Sequence, residues 1–220
     1  MLLQTEREKI VEIGNRMINA RLTTGTGGNL SIFNRKENLI AIKPSGVPYQ
    51  SMRAEDVVVL RPDGEQVDGI LKPSSETKFH LAIYQARQDV DAILHSHQVY
   101  ATTIACMGIE LPAVHYLLAF SGDKVPLAPY ATFGTQALSD NILSVLGNYK
   151  ACLLENHGLV TMGASLEEAF NTAEALEFVA QIYIQAKSIG EPKILNTEQM
   201  TVVIEKFKTY GKQETKEGQI

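Results

Sequence analysis

The stretch Ala92-Ile93-Leu94-His95-Ser96-His97 limits the possible folds of this chain more than any other. Three apolar residues run straight into a His-x-His pair, a pattern that predicts a buried strand. Side chains alternate across a strand with a period of two, so His95 and His97 point to the same side. Two imidazoles there can occupy adjacent corners of one metal's coordination sphere, or they can be buried histidines satisfied by hydrogen bonds. A third histidine shifts the balance toward a metal. Lys150-Ala-Cys-Leu-Leu-Glu-Asn-His157-Gly158 repeats the syntax, an apolar strand that ends in histidine and runs into a glycine turn. Three neutral imidazoles with a fourth position open are the pattern of a catalytic divalent-metal site, with zinc first among the candidates.

The 220 residues show no internal repeat and suit one compact domain with a substantial core. A net charge of -5 with dispersed basic residues speaks against a nucleic-acid footprint. No apolar run approaches the ~20 residues of a membrane span. The start Met-Leu-Leu-Gln-Thr-Glu-Arg-Glu is too polar for a secretory signal. Cys106 and Cys152 lie far apart inside apolar segments and read as two buried, reduced thiols, so a cytoplasmic location is expected.

In chain order, Thr5 is a possible cap for a helix carrying Ile10, Ile13, Met17 and Arg21 at three- and four-residue spacing. The loop Thr23 to Gly28 precedes a strand, Leu30 to Phe33. That order is the reverse of a dinucleotide fingerprint or a P-loop, which need strand, glycines and then helix. Two readings stay open for it: a tight turn, or a backbone cradle whose amides approach an anion while Asn29 adds a side-chain donor. Strands at Leu39 to Ile42 and Asp56 to Leu60 continue an antiparallel meander, with Ser45-Gly46 just past the first of them. Lys72-Pro-Ser74-Ser75-Glu76-Thr77 opens the next helix, which runs to about Ala86. Its serines suit N-caps and Glu76 suits the first turn, yet the same atoms also make an anion site at the positive end of a helix dipole. A carboxylate at Glu76, with a metal nearby, is a candidate general base. His80, mid-helix beside Phe79, reads as structural. Val125 to Tyr130 is a proline-broken piece that suits an edge strand. Ser165-Leu-Glu-Glu168 reads as a capping box before the longest helix, and a last helix spans Thr197 to about Lys208.

Gly28-Asn29, Ser45-Gly46, Ser74-Ser75-Glu76, His95-x-His97, His115-Tyr116, Ala128-Pro-Tyr-Ala-Thr-Phe-Gly134 and His157-Gly158 appear together, and the similarity runs on to Lys206-Phe-Lys-Thr-Tyr210. In that order and spacing they resemble the class II sugar-phosphate aldolase, epimerase and adducin-head family. The resemblance implies an α/β fold, three layers α/β/α around a largely antiparallel central sheet in a single domain over residues 1–211. Residues 212–220 are expected to form a flexible tail. It also implies a homotetramer with active sites between subunits.

Carried over by resemblance, His95, His97 and His157 are the expected ligands of one Zn2+ per subunit, with Glu76 as acid/base and possible fourth ligand. Gly28, Asn29, Ser45, Gly46, Ser74 and Ser75 are the expected phosphate pocket, and Tyr116 and Tyr210 the tyrosines a neighbouring subunit contributes. Ser45 replaces a threonine of the family pattern and keeps the hydroxyl. The activity implied is cleavage of L-fuculose 1-phosphate to dihydroxyacetone phosphate and L-lactaldehyde through an ene-diolate, with no Schiff-base lysine. Alternatives within the family are an L-ribulose-5-phosphate 4-epimerase, expected to carry aspartate at the place of Glu76, and other sugar-phosphate aldolases. A non-enzymatic adducin-type module should lack the three histidines.

Overall fold

A computed structural model describes residues 1–209. In chain order the elements are α1 (Gln4–Asn19), β1 (Asn29–Asn34), β2 (Leu39–Ile42), β3 (Val58–Leu60), β4 (Gln66–Asp68), α2 (Thr77–Ala86), β5 (Ala92–Ser96) and α3 (Val99–Cys106). They continue with β6 (Leu111–Pro112), β7 (Lys124–Val125), β8 (Leu127–Ala128), α4 (Gln136–Leu146), β9 (Ala151–Leu154), β10 (Gly158–Gly163), α5 (Leu166–Ile189) and α6 (Thr197–Phe207). Eight strands form one sheet in the order β4-β3-β2-β1-β5-β10-β9-β8, while β6 and β7 pair separately. Every neighbouring pair in the large sheet is antiparallel except the edge pair β8–β9, as the resemblance implies.

Alternation along the strands builds the three layers. Ala92 and Leu94 of β5 face a core shared with α1 and the first turns of α5. Ile93 between them faces the opposite core, under α2 and α4. Further along the sheet, Cys152 and Leu154 join the α2–α4 side, while Leu153 and Leu159 pack against α3 and the later turns of α5. Both faces are buried, which is why β5 and β9 read as continuous apolar runs.

Several local expectations change. Helix α1 begins at Gln4 after Leu3, so Thr5 lies inside the first turn and caps nothing. Arg21 is past the helix end, exposed, with a left-handed φ of 59°, and is not part of the buried stripe. The strand expected from Asp56 is shorter, because Ala54–Asp56 forms a 3-10 turn. The Ser165 hydroxyl accepts from the Glu168 amide, but the Glu168 carboxylate turns back to the Ala164 amide, so the box is open by one residue. Cys106 is exposed and only Cys152 is buried. Among the described residues no helix is long and apolar enough to cross a membrane. Tyr210 and the tail lie outside the described residues.

Candidate active site

The site sits where β1, β5 and β10 end together. Asn29 pairs with His95 across β1 and β5, and Val160 pairs with His95 on the other side. His95 is fully buried inside β5, His97 lies just past its end, and His157 occupies the turn between β9 and β10. Gly158 is thus the first residue of β10 and not a turn glycine. Their Nε2 atoms converge: His97 to His95 is 3.0 Å and His95 to His157 is 3.2 Å. His95 Nδ1 lies 3.0 Å from the Leu159 carbonyl, which can only accept. The His95 proton is therefore on Nδ1, and its Nε2 presents a lone pair to the other two rings.

Two glycines make this convergence possible. A Cβ on Gly28, whose φ is +70°, would stand 2.4 Å from the His95 carbonyl oxygen. One on Gly158 would stand 2.4 Å from the Ser96 carbonyl and 2.9 Å from the His97 ring. Any side chain at either place would displace the imidazoles.

Glu76 faces the cluster from the α2 side. Its Oε2 is 3.3 Å from His95 Nε2, and its Oε1 is 3.5 Å from His157 Nε2. Helix α2 starts one residue later than expected, at Thr77, which puts Glu76 at the N-cap position, where its side chain caps nothing. The Ser74 hydroxyl accepts from the Glu76 amide instead, at 3.2 Å, leaving the carboxylate free to turn into the site. Burial raises the Glu76 carboxyl to about 7, against the pull of a 2.9 Å hydrogen bond from the Asn29 amide. Burial also lowers the histidines, His157 to about 4 and His95 well below its usual range, with the neighbouring imidazoles adding to it.

These residues fit a divalent cation. Oε1 of Glu76 is buried with no hydrogen-bond partner, and it faces imidazole nitrogens whose basic atoms crowd together. Such an arrangement is costly unless a cation lies between the groups. Nitrogens about 3.3 Å apart are what two imidazoles on one tetrahedral ion present.

The expected phosphate residues come from three loops that meet beside this cluster. The Ser74 amide donates to the Lys43 carbonyl, the Ser45 amide donates to the Lys72 carbonyl, and Pro44 bridges to Pro73. The Lys43 ammonium reaches the carbonyls of Thr26 (3.4 Å) and Pro44 (3.2 Å), tying the glycine loop to the Ser45-Gly46 loop. The amides of Gly28, Gly46 and Ser75 find no partner among the described residues. A Cβ on Gly134 would lie 2.7 Å from the Ser75 carbonyl, so the loop carrying Phe133 rests against the same corner.

Tyr116 stands apart. It opens a 3-10 turn, Tyr116–Phe120, and its ring lies beside His115 (4.6 Å between centroids) and Phe207 (6.1 Å). Ser31, His80 and Tyr84 are buried behind Asn29 and hydrogen-bonded in series; of the three, the sequence pointed only to His80, as a structural residue. Their four-residue helical and two-residue strand spacing was the available signal.

The chain matches the family described as Class II Aldolase and Adducin N-terminal domain over residues 8–184. It is 52% identical over 213 residues to the 5-deoxy-D-ribulose 1-phosphate aldolase of Bacillus thuringiensis serovar kurstaki, covering 97% of this chain and 100% of that one. It is 40% identical over 205 residues to the L-fuculose phosphate aldolase of Escherichia coli strain K12, covering 92% and 94%. A solved L-fuculose 1-phosphate aldolase superposes with a TM-score of 0.91 at 43% identity, covering 93% of this chain and 96% of that one.

Proposed function

The chain belongs to the Class II Aldolase and Adducin N-terminal domain family, and from that premise we propose that it cleaves a deoxyketose 1-phosphate between C3 and C4. The products are dihydroxyacetone phosphate and a short aldehyde. The observation that carries this reading is the orphaned Glu76 oxygen facing three converging imidazoles. An adducin-type binding module has no use for that arrangement. Both named relatives above are aldolases of this substrate class, since fuculose and 5-deoxyribulose each end in a methyl group. L-Fuculose 1-phosphate would release L-lactaldehyde, and 5-deoxy-D-ribulose 1-phosphate would release acetaldehyde.

His95, His97 and His157 would hold the metal, for which an all-imidazole set with a carboxylate favours zinc, and Glu76 can complete the set before substrate arrives. When bound, the ion supplies Lewis-acid stabilisation of the negative charge left on the dihydroxyacetone phosphate fragment. Glu76, with its carboxyl held near neutrality, returns a proton to C3 after cleavage and removes it in the synthetic direction. The amides of Gly28, Gly46 and Ser75, with the hydroxyls of Ser45 and Ser74 and the second amide hydrogen of Asn29, grip the phosphate and fix C3 relative to Glu76. Tyr116 of a neighbouring copy takes the proton of the C4 hydroxyl, and Tyr210 is the second tyrosine proposed to act at the aldehyde end. That division requires an oligomer, for which a homotetramer is the family expectation. A cytoplasmic setting suits a phosphorylated sugar substrate.

The test is to supply dihydroxyacetone phosphate with L-lactaldehyde, with acetaldehyde, and with neither, and to identify the ketose phosphate formed. L-Ribulose 5-phosphate run alongside checks the epimerase. Condensation with one of the two aldehydes is expected. Epimerisation of L-ribulose 5-phosphate without net condensation would overturn the aldolase reading.

A further inference from the structure

Glu76, His80 and Tyr84 are spaced four apart, and Asn29, Ser31 and Phe33 are spaced two apart. Four residues of helix rise about 6 Å and two residues of strand about 6.6 Å, so α2 and β1 present their side chains to one another at nearly matched intervals. The result is a buried polar zipper. Asn29 Nδ2 donates to Glu76 Oε2 at 2.9 Å. Asn29 Oδ1 meets His80 Nε2 at 2.5 Å, and His80 Nδ1 meets the Ser31 hydroxyl at 2.7 Å. The Ser31 hydroxyl also meets the Tyr84 hydroxyl at 2.7 Å, and the Tyr84 ring closes on Phe33 with centroids 5.3 Å apart.

Chemistry fixes the direction of each bond while Glu76 is a carboxylate. The carboxylate accepts, so the amide nitrogen of Asn29 faces Glu76 and its carbonyl faces His80. That carbonyl needs a donor, so His80 carries its proton on Nε2. Enclosed with no carboxylate partner, the ring stays neutral, consistent with burial lowering it to about 3. His80 Nδ1 therefore accepts from Ser31, and the Ser31 oxygen accepts from Tyr84. Each member has one role, and the chain ends on one particular oxygen of Glu76.

We propose that His80 is a positioning residue for Glu76: locked by Ser31 and Tyr84, it orients the Asn29 amide, which commits Glu76 Oε2 as an acceptor and leaves Oε1 to carry the proton to and from C3. This deepens the proposed function and rests on Glu76 being its acid/base. Oε1 suits that part, being the oxygen without a hydrogen-bond partner. Without the zipper the carboxylate can rotate about its own side chain, and misplacements on the scale of 1 Å can cost a reaction about 100-fold.

The experiment follows exchange of the C3 hydrogen of dihydroxyacetone phosphate with deuterium from solvent, alongside metal content, melting temperature and the dissociation constant of dihydroxyacetone phosphate. The zinc-loaded full chain is compared with His80→Leu, His80→Gln, Ser31→Ala, Tyr84→Phe and Glu76→Gln. Exchange in His80→Leu should fall about 10- to 100-fold, with metal content within about twofold and a dissociation constant that weakens by less than the exchange rate falls, since Asn29 also reaches the phosphate. His80→Gln, which can donate toward Asn29 and accept from Ser31, should recover part of the loss. Tyr84→Phe should give the smallest deficit. His80→Leu combined with Asn29→Ala should be no slower than the worse single variant, because one acts through the other. If His80→Leu does not fold, Ser31→Ala and Tyr84→Phe decide the matter by the same measurements. Wild-type exchange in folded, metal-replete zipper variants, or losses that multiply with Asn29→Ala, would overturn the proposal. Wild-type exchange in Glu76→Gln would instead overturn the underlying acid/base reading.

Discussion

His95 is fully enclosed, whereas Tyr116 keeps 49% of its surface exposed. Around His95, hydrogen-bonded strands hold every neighbour: β1 places Asn29, β10 places Gly158, and α2 delivers Glu76 from above. Around Tyr116, a 3-10 turn and the end of α6 present His115 and Phe207 at tilted ring angles, and Phe207 in turn meets Phe120 edge to face. Phe133 and Tyr130, on the loop that rests against Ser75, are also open, at 63% and 60%. One region is complete within a single copy and is limited by packing. The other is a set of aromatic side chains that one copy leaves unburied, which is what the proposed sharing of the site between copies predicts. On the proposed function, metal binding and C3 proton transfer fall to the first region and aldehyde handling and C4 proton transfer to the second, so the two should be separable by mutation.

The largest effect is expected in the enclosed half. His95→Ala or His157→Ala removes one of three imidazoles and opens a cavity beside a buried carboxylate. Metal content and cleavage should fall together, with activity reaching background. Full metal occupancy in purified, folded His157→Ala protein would take that residue out of the ligand set.

Tyr116→Phe comes next, with cleavage slowed about 10²–10⁴-fold, the usual range for one general acid/base. Because the change lies in the other half, metal content and solvent exchange at C3 should stay at wild-type levels. A mixture then asks whether the halves meet across copies. Equal amounts of Tyr116→Phe and Glu76→Gln chains, unfolded and reassembled together, should regain roughly a quarter of the wild-type sites if each site draws on two neighbouring copies of a ring. No recovery, with mixed oligomers confirmed by mass, would put Tyr116 and Glu76 in the same chain's site.

The two halves also differ in how far the sequence disclosed them. His95 and His97 announce themselves because a two-residue period on an apolar strand leaves them one orientation. β2 and β5 fall where alternation and apolar runs put them. His157 was legible as a histidine but not as a turn residue, since the β9–β10 turn depends on Asn156 adopting a φ of 54°. Glu76 could be read both as a helix-dipole residue and as a candidate general base, but its N-cap place was not legible, because the true helix start, one residue later, depends on the Ser74 hydroxyl taking the Glu76 amide. The zipper was half legible, its four- and two-residue spacings present in the sequence, but its members sit on two elements and only packing of α2 against β1 brings them together. Tyr116 carries no periodicity at all, and its part was suggested only by family resemblance.

The smallest effect expected is on stability, and it tests whether enclosure around the histidines is real. In chelator-treated protein, burial holds His157 at about 4 and His80 at about 3, while in the unfolded chain each titrates near 6.5. Between those values the unfolded chain binds protons that the folded one refuses, so stability falls as pH drops from about 6.5 toward 4. Glu76 works the other way: raised to about 7, it holds a proton in the folded state from pH 7 down to about 4.5, a window in which the unfolded chain is already ionised, and so gains stability as pH falls. Two carboxyls that burial raises, Glu76 and Glu177, oppose the four enclosed histidines that it lowers, His80, His95, His97 and His157, so the net sign is a loss. Melting temperatures of metal-free protein should therefore decline from pH 7 to pH 5, and more gently in His157→Gln. His115, in the open half, is lowered by a far less complete enclosure, so His115→Gln should leave the decline nearly as steep as wild type. A flat profile in wild type, or equal flattening by the two substitutions, would mean that the imidazoles of the enclosed half are no more shielded from water than the ring beside Tyr116.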